Sequence, residues 1–150
     1  MDSQLGLAIR RWCPPVLGLP AHASVDDYLA RRAELGWSAV TTALLGQAGL
    51  AALLVDTGLD GPDLVGLPLL RTLARAPTHE VVRLERVAEG LAGQVDAASF
   101  ADAFATALAE RVSHAVAVKS IIAYRWGLHI PGERPTAAEV SCYGGVARKP

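Results

Sequence analysis

The sequence predicts an α/β fold in which three to four parallel strands are flanked by helices. Three observations lead there. Short continuous apolar runs of strand length recur along the chain. Segments of helical periodicity separate them. About half of the 150 residues are apolar (51%), yet only two Phe, three Tyr and three Trp are present. The core must therefore be Ala, Leu and Val, which suits helices packed on strands better than an aromatic-rich sandwich.

The elements follow in order. Residues 1–23 are expected to be irregular, because Pro14, Pro15 and Pro20 oppose a long helix. Ser24-Val25-Asp26-Asp27 reads as a capping box with a short acid, opening a helix to about Leu35. Val25, Tyr28, Leu29, Arg32 and Leu35 mark one face of it, and Gly36 is a suitable stop. A second helix is expected from Ser38 to Ala48, before Gly49. The run from Leu50 to Val55 reads as a buried strand closed by Asp56-Thr57-Gly58. Leu67 to Ala76 reads as a helix ended by Pro77, and His79 to Leu84 as the second strand. A short helix over Glu85 to Leu91 follows. Ser99-Phe100-Ala101-Asp102 reads as another capping box, with Phe100, Phe104, Leu108 and Val112 on one face of its helix. Ala115 to Val118 is the third strand, with Lys119 directly at its end. Thr136-Ala137-Ala138-Glu139 is a full capping box, but Gly144 and Gly145 arrive within about two turns.

Composition narrows the function classes. The net charge of −1 and the lack of a basic stripe give nucleic-acid binding no electrostatic support. No run of 18 apolar residues suggests a membrane span, and the N-terminus has no apolar run of signal type, so a cytoplasmic location is expected. Cys13 and Cys142 form no C-x-x-C and fit no zinc spacing, so both are expected as free thiols. Gly58 and Gly61 lack any phosphate-loop frame.

The segment Val118-Lys119-Ser120-Ile121-Ile122-Ala123-Tyr124-Arg125-Trp126-Gly127-Leu128 resembles the K-S-x-x-A-Y-R-x-G-L stretch of amidohydrolase-related proteins. That branch also occurs fused to glutamine-synthetase-like chains. Tyr28-Leu29-Ala30-Arg31-Arg32 is similar to its first helix, Leu53 to Gly58 to its second strand, and Glu80 to Glu85 to its third. The resemblance spans roughly residues 16 to 140. It implies a (β/α)8 barrel of TIM type with chemistry at the C-terminal ends of the strands. It also implies one or two divalent metals, commonly zinc, that activate a bound water and polarise a carbonyl. The ligands it implies are an H-x-H pair after strand 1, Lys or another ligand after strand 4, His after strands 5 and 6, and Asp after strand 8. The chain holds no H-x-H, and His22, His79, His114 and His129 are isolated. A barrel takes about 250 residues, so residues 1–150 read as a single incomplete barrel segment, short by on the order of 100.

On this resemblance Lys119 is the candidate catalytic residue and metal ligand, either as a carboxylated lysine or as a cation facing substrate. Tyr124 and Arg125 are candidate substrate contacts, with Arg125 suited to gripping a carboxylate. Asp56 and Arg83 are further substrate-binding candidates, against simpler readings of Asp56 as a turn residue and Arg83 as a partner of Glu85. His79 and His114 precede strands, at the end away from the chemistry; His129 is on the correct side but lacks a second ligand. The function expected is that of a metal-dependent hydrolase acting on C–N bonds of a small-molecule substrate, with this segment inactive alone. The rival is a non-catalytic module that associates with itself, or with a complementary barrel half, through open sheet edges. A flavodoxin-like domain would need further strands from the Pro-rich and Gly-rich ends of the chain.

Overall fold

The computed structural model describes residues 3–59, 61–129, 132–133, 135–136 and 138–139. Helices α1 (Gln4–Val16) and α2 (Val25–Gln47) precede strand β1 (Leu53–Asp56). Helix α3 (Leu67–Ala74) leads to β2 (Thr78–Arg83), and α4 (Leu84–Leu91) and α5 (Phe100–Val112) lead to β3 (Ala117–Lys119). A one-turn helix, α6 (Ala123–Trp126), follows. The strands form one sheet in the order β1-β2-β3. Cα packing groups the residues into two compact units: 1–53 with 65–78, and 54–64 with the chain from 79 onward.

In the first unit, α1 replaces the irregular N-terminus expected from Pro14 and Pro15. Both prolines lie inside its last turn. Proline there removes the N–H that would meet the carbonyl four residues back. For Pro14 that acceptor is the Arg10 carbonyl, and the His22 backbone N–H takes it instead at 2.7 Å. The Arg10 guanidinium returns a hydrogen bond to the His22 carbonyl at 3.2 Å. His22 reaches this position with φ 62°, a left-handed conformation that side chains disfavour. Ser3 caps α1 by accepting the Gly6 N–H at 3.1 Å.

The Ser24 cap forms as the sequence indicates. Its hydroxyl accepts the Asp27 N–H at 3.0 Å and donates to the Asp27 carboxylate at 2.6 Å. Gly36 interrupts α2 with φ 76° and ψ 161°, the break expected between two helices. Leu17, Tyr28 and Val40 form the buried centre of this unit, with Ile9, Cys13, Val16, Leu35 and Leu44 packed around them. Leu29, expected on the buried face, is exposed. Cys13 is a free thiol, while Cys142 falls outside the described residues. Helix α3 ends at Arg75, which takes the left-handed C-cap conformation (φ 52°) before Pro77 is reached.

In the second unit, β2 and β3 run parallel, with Val81 opposite Ala117, Val82 opposite Val118 and Arg83 opposite Lys119. Val82 is the best-buried large side chain here, at 2% exposure. Burying it contributes about 1.5–3 kcal/mol. Strand alternation puts Val81 and Arg83 on one face and Glu80 and Val82 on the other. The expected cap at Ser99 does not form. Ser99 has helical angles and no side-chain cap bond, and Asp96 accepts its N–H at 2.8 Å. Phe100 and Phe104 stack with ring centroids 6.5 Å apart, as their four-residue spacing implies. The Thr136–Glu139 capping box is present: the Thr136 N–H donates to Glu139 at 2.8 Å, and the Glu139 N–H donates back to the Thr136 hydroxyl at 3.3 Å. Gly144 and Gly145 lie outside the described residues.

No helix among the described residues is long and apolar enough to cross a membrane.

Candidate functional site

The C-terminal tips of the three strands meet on one carboxylate. Asp56 ends β1, Arg83 ends β2 and Lys119 ends β3. Asp56 Oδ2 accepts Arg83 Nε at 3.2 Å and Arg83 Nη2 at 2.7 Å. The same oxygen lies 3.0 Å from Lys119 Nζ. Asp56 Oδ1 accepts the Gly58 backbone N–H at 2.8 Å, the turn role that the sequence also allows. The Arg83 and Asp56 side chains are only 13% and 18% exposed, whereas Lys119 is 46% exposed. Arg83 foremost holds the Asp56 carboxyl at about 2, against an ordinary 3.8, with burial opposing and Gly58 and Lys119 assisting.

Gly58 is required by this packing. A Cβ on Gly58 would collide with Arg83 Nε, and would lie 2.6 Å from its Cδ and 2.7 Å from its Cβ. The position needs a residue without a side chain because the turn presses against the Arg83 stem.

Two further links tie neighbouring groups to the tips. The Ser120 hydroxyl and the Ile121 N–H both donate to Glu85 Oε1, the latter at 3.0 Å. Burial opposes ionisation of Glu85, but these donors outweigh it and lower its pKa. On the other face of the sheet, Glu80 Oε1 accepts the Thr57 hydroxyl, Arg111 Nη2 at 2.8 Å and Arg111 Nε at 3.3 Å. Burial again opposes ionisation, and Thr57 and Arg111 together lower the Glu80 pKa. An open groove of about 610 Å³ lies between α4 and α5 beside this pair, with Arg86, Leu91, Glu110 and His114 on its walls.

Asp56, Arg83 and Lys119 come together. Arg83 pairs with Asp56 rather than with Glu85 as the simpler reading held. Tyr124 does not join them, being 88% exposed in α6. The Arg125 side chain lies outside what the structure describes. Thr57, Glu80, Arg111 and Ser120 were not singled out by sequence. The available signal was Glu80, an acidic residue directly before the apolar pair Val81-Val82 of its strand.

The described residues do not by themselves fit a divalent metal. Among them no three His, Cys, Asp or Glu side chains gather where one ion could sit. The carboxylate at the strand tips is held between two cations, which repel a third. The Lys119 amine is engaged as an ion-pair partner.

No protein-family model matches the chain, and neither does any curated protein. A solved structure does: a provisionally assigned metal-dependent hydrolase from Lactobacillus casei ATCC 334, with TM-score 0.69 and 25% sequence identity. The match covers 97% of this chain and 41% of that one, so the chain spans about two fifths of the length of the solved structure. The chain thus has a hydrolase-like α/β fold.

Proposed function

We propose that the chain is a segment of a (β/α)8 barrel of the amidohydrolase type, from a metal-dependent hydrolase that acts on C–N bonds of a small molecule. The observation that carries this is the meeting of three successive strand tips on Asp56, at the sheet end where such barrels place their chemistry. The likeness to the Lactobacillus casei hydrolase and the resemblance of residues 118–128 support the same reading.

Within it, this segment supplies cationic anchoring rather than metal ligation. The catalytic and metal-binding role expected of Lys119 becomes an electrostatic one. Asp56 fixes Arg83 and Lys119 in place, and the half-exposed Lys119 ammonium exchanges Asp56 for a negatively charged part of the substrate. Tyr124 and Arg125 follow in the adjoining turn and contact the same substrate. Any zinc or similar ion is held by ligands other than the described side chains.

The test is hydrolysis of an amide and ester panel with added zinc or manganese. It uses this chain alone and the longest natural product that contains it. The chain alone is expected at the buffer rate. The longer product is expected to show metal-dependent turnover that Lys119→Ala lowers by about tenfold or more. Turnover by the chain alone removes the anchoring role, and a longer product inert on every amide removes the hydrolase reading.

A second reading rests on β3. Among the described residues this strand is at an edge of the sheet, and Val116 and Val118 are 52% and 51% exposed. An edge of this kind accepts another strand, from a second copy or a complementary segment. Light scattering across a concentration series separates the cases; a monomer at all concentrations argues against self-association.

A further inference from the structure

We infer that Glu85 is a positioning residue: it holds the turn after β3, which presents Tyr124 and Arg125 to a substrate. This role rests on the hydrolase reading for what the turn meets, but not for how the turn is held.

The turn is weak by itself. Helix α6 (Ala123–Trp126) is a single turn, and so short a helix is unstable alone, because ordering its residues costs more than its few hydrogen bonds return. Strand β3, from which the turn departs, is exposed along Ala117–Lys119 and gives it little packing. Glu85 supplies an anchor. Its Oε1 accepts the Ser120 hydroxyl, and also the Ile121 N–H at 3.0 Å. Ser120 Oγ in turn accepts the Ile122 N–H at 3.2 Å. The Ile121 carbonyl accepts the Tyr124 N–H at 3.1 Å, at the start of α6. Glu85 is therefore linked to the Tyr124 backbone through Ile121 alone.

The anchor is itself fixed by the strand tips. Glu85 stands in the first turn of α4, just past Arg83, and Ser120 follows Lys119 directly. The Glu85–Ser120 bond thus joins the ends of β2 and β3 next to the ion pairs at Asp56. Its chemistry also marks a role beyond stability. Glu85 Oε2 is buried and has no partner among the described residues. A buried carboxylate oxygen left unpaired opposes folding, so packing alone does not account for an acid here. What the side chain provides is an acceptor that reaches two donors of the turn.

The experiment is backbone nitrogen-15 relaxation of this chain in wild type, Glu85→Gln, Glu85→Ala and Ser120→Ala. Glu85→Gln keeps an acceptor oxygen of the same reach. Order parameters at Tyr124 and Arg125 are expected near about 0.85 in wild type and Glu85→Gln, and below about 0.6 in Glu85→Ala. Ser120 is exposed, so Ser120→Ala leaves the fold intact and is expected to loosen the turn in the same direction. Val82, buried in β2, is expected to stay rigid in all four. Equal order at Tyr124 in every variant overturns the proposal, as does a loss at Val82 as large as that at Tyr124. In the longest natural product containing the chain, Glu85→Ala is expected to raise KM about tenfold with kcat changed less than about threefold, and Glu85→Gln to restore KM. A fall in kcat at unchanged KM overturns the positioning role. A longer product inert on every amide removes the hydrolase reading, and the order of the turn then decides the role of Glu85.

Discussion

Lys119 Nζ and Arg83 Nη2 approach the same oxygen of Asp56, at 3.0 and 2.7 Å, from strands paired residue for residue. Two cations on adjacent strand ends would repel each other without that carboxylate. Asp56 is therefore the group on which the arrangement of the tips depends.

The Asp56 carboxyl titrates at about 2 when folded and near 3.8 when unfolded, so the unfolded chain binds its proton more readily. Its stabilisation is fully present above the unfolded value and is lost as pH falls through the folded one. The contribution is up to about 2 kcal/mol. Urea unfolding of wild type and Asp56→Asn should show a gap that is constant at neutral pH and closes between about pH 4 and pH 2. A gap that persists below that window would mean that the substituted amide disturbs packing instead.

Arg83 is the leading cause of that low value, and Lys119 is a lesser one. NMR titration of the Asp56 carboxyl carbon should therefore move upward in Lys119→Met, and further upward in Arg83→Met. The reverse order would place Lys119, not Arg83, as the main partner in solution.

Gly58→Ala should destabilise the chain by about 1–3 kcal/mol, because the new methyl meets the Arg83 side chain along its length, from Nε and Cδ down to Cβ, and not at its flexible end alone. Its Asp56 titration should rise as well, since Arg83 must move. Loss of stability with an unchanged Asp56 titration would mean that the turn, not Arg83, gives way.

Glu80 and Arg111 should behave unequally. Glu80 is 15% exposed and Arg111 is 55% exposed. Arg111→Ala should cost about 1 kcal/mol or less, as for other solvent-facing pairs. Glu80→Ala leaves the Thr57 hydroxyl and the guanidinium without their acceptor, and should cost about 1–3 kcal/mol. Equal losses in thermal melts would show that the pair is wetter than the structure has it.

His22→Gly should raise stability by up to about 1 kcal/mol, because glycine relieves the left-handed backbone while keeping the N–H that meets Arg10. His22→Pro removes that N–H and should lower stability. A His22→Gly variant that is less stable would assign the imidazole a packing role.

The positions of the strands and most helices were legible because their signals are local, but the burial expected of the third strand was not, since Ala117 to Lys119 are all exposed. Val81-Val82 and the four-residue spacing of Phe100 and Phe104 need no distant partner to be read. Helix α1 was not legible, since Pro14 is tolerated only because His22, eight residues later, meets the stranded carbonyl. The Ser99 box failed because Asp96, just upstream, captures the Ser99 N–H. At the site, Lys119 and Asp56 were visible as polar residues closing apolar runs. The links of Thr57 to Glu80 and of Ser120 to Glu85 span 23 and 35 residues, and no local pattern encodes them.

The break at Gly36 has a mechanical meaning. The hydrogen-bond ladder of α2 stops there, so the amides just after it start a fresh helix with unmet donors. Twisting or fraying of one half is not relayed through the ladder to the other. Deuterium uptake should consequently be rapid in the turn after Gly36, midway along a helix of 23 residues, and slower on either side.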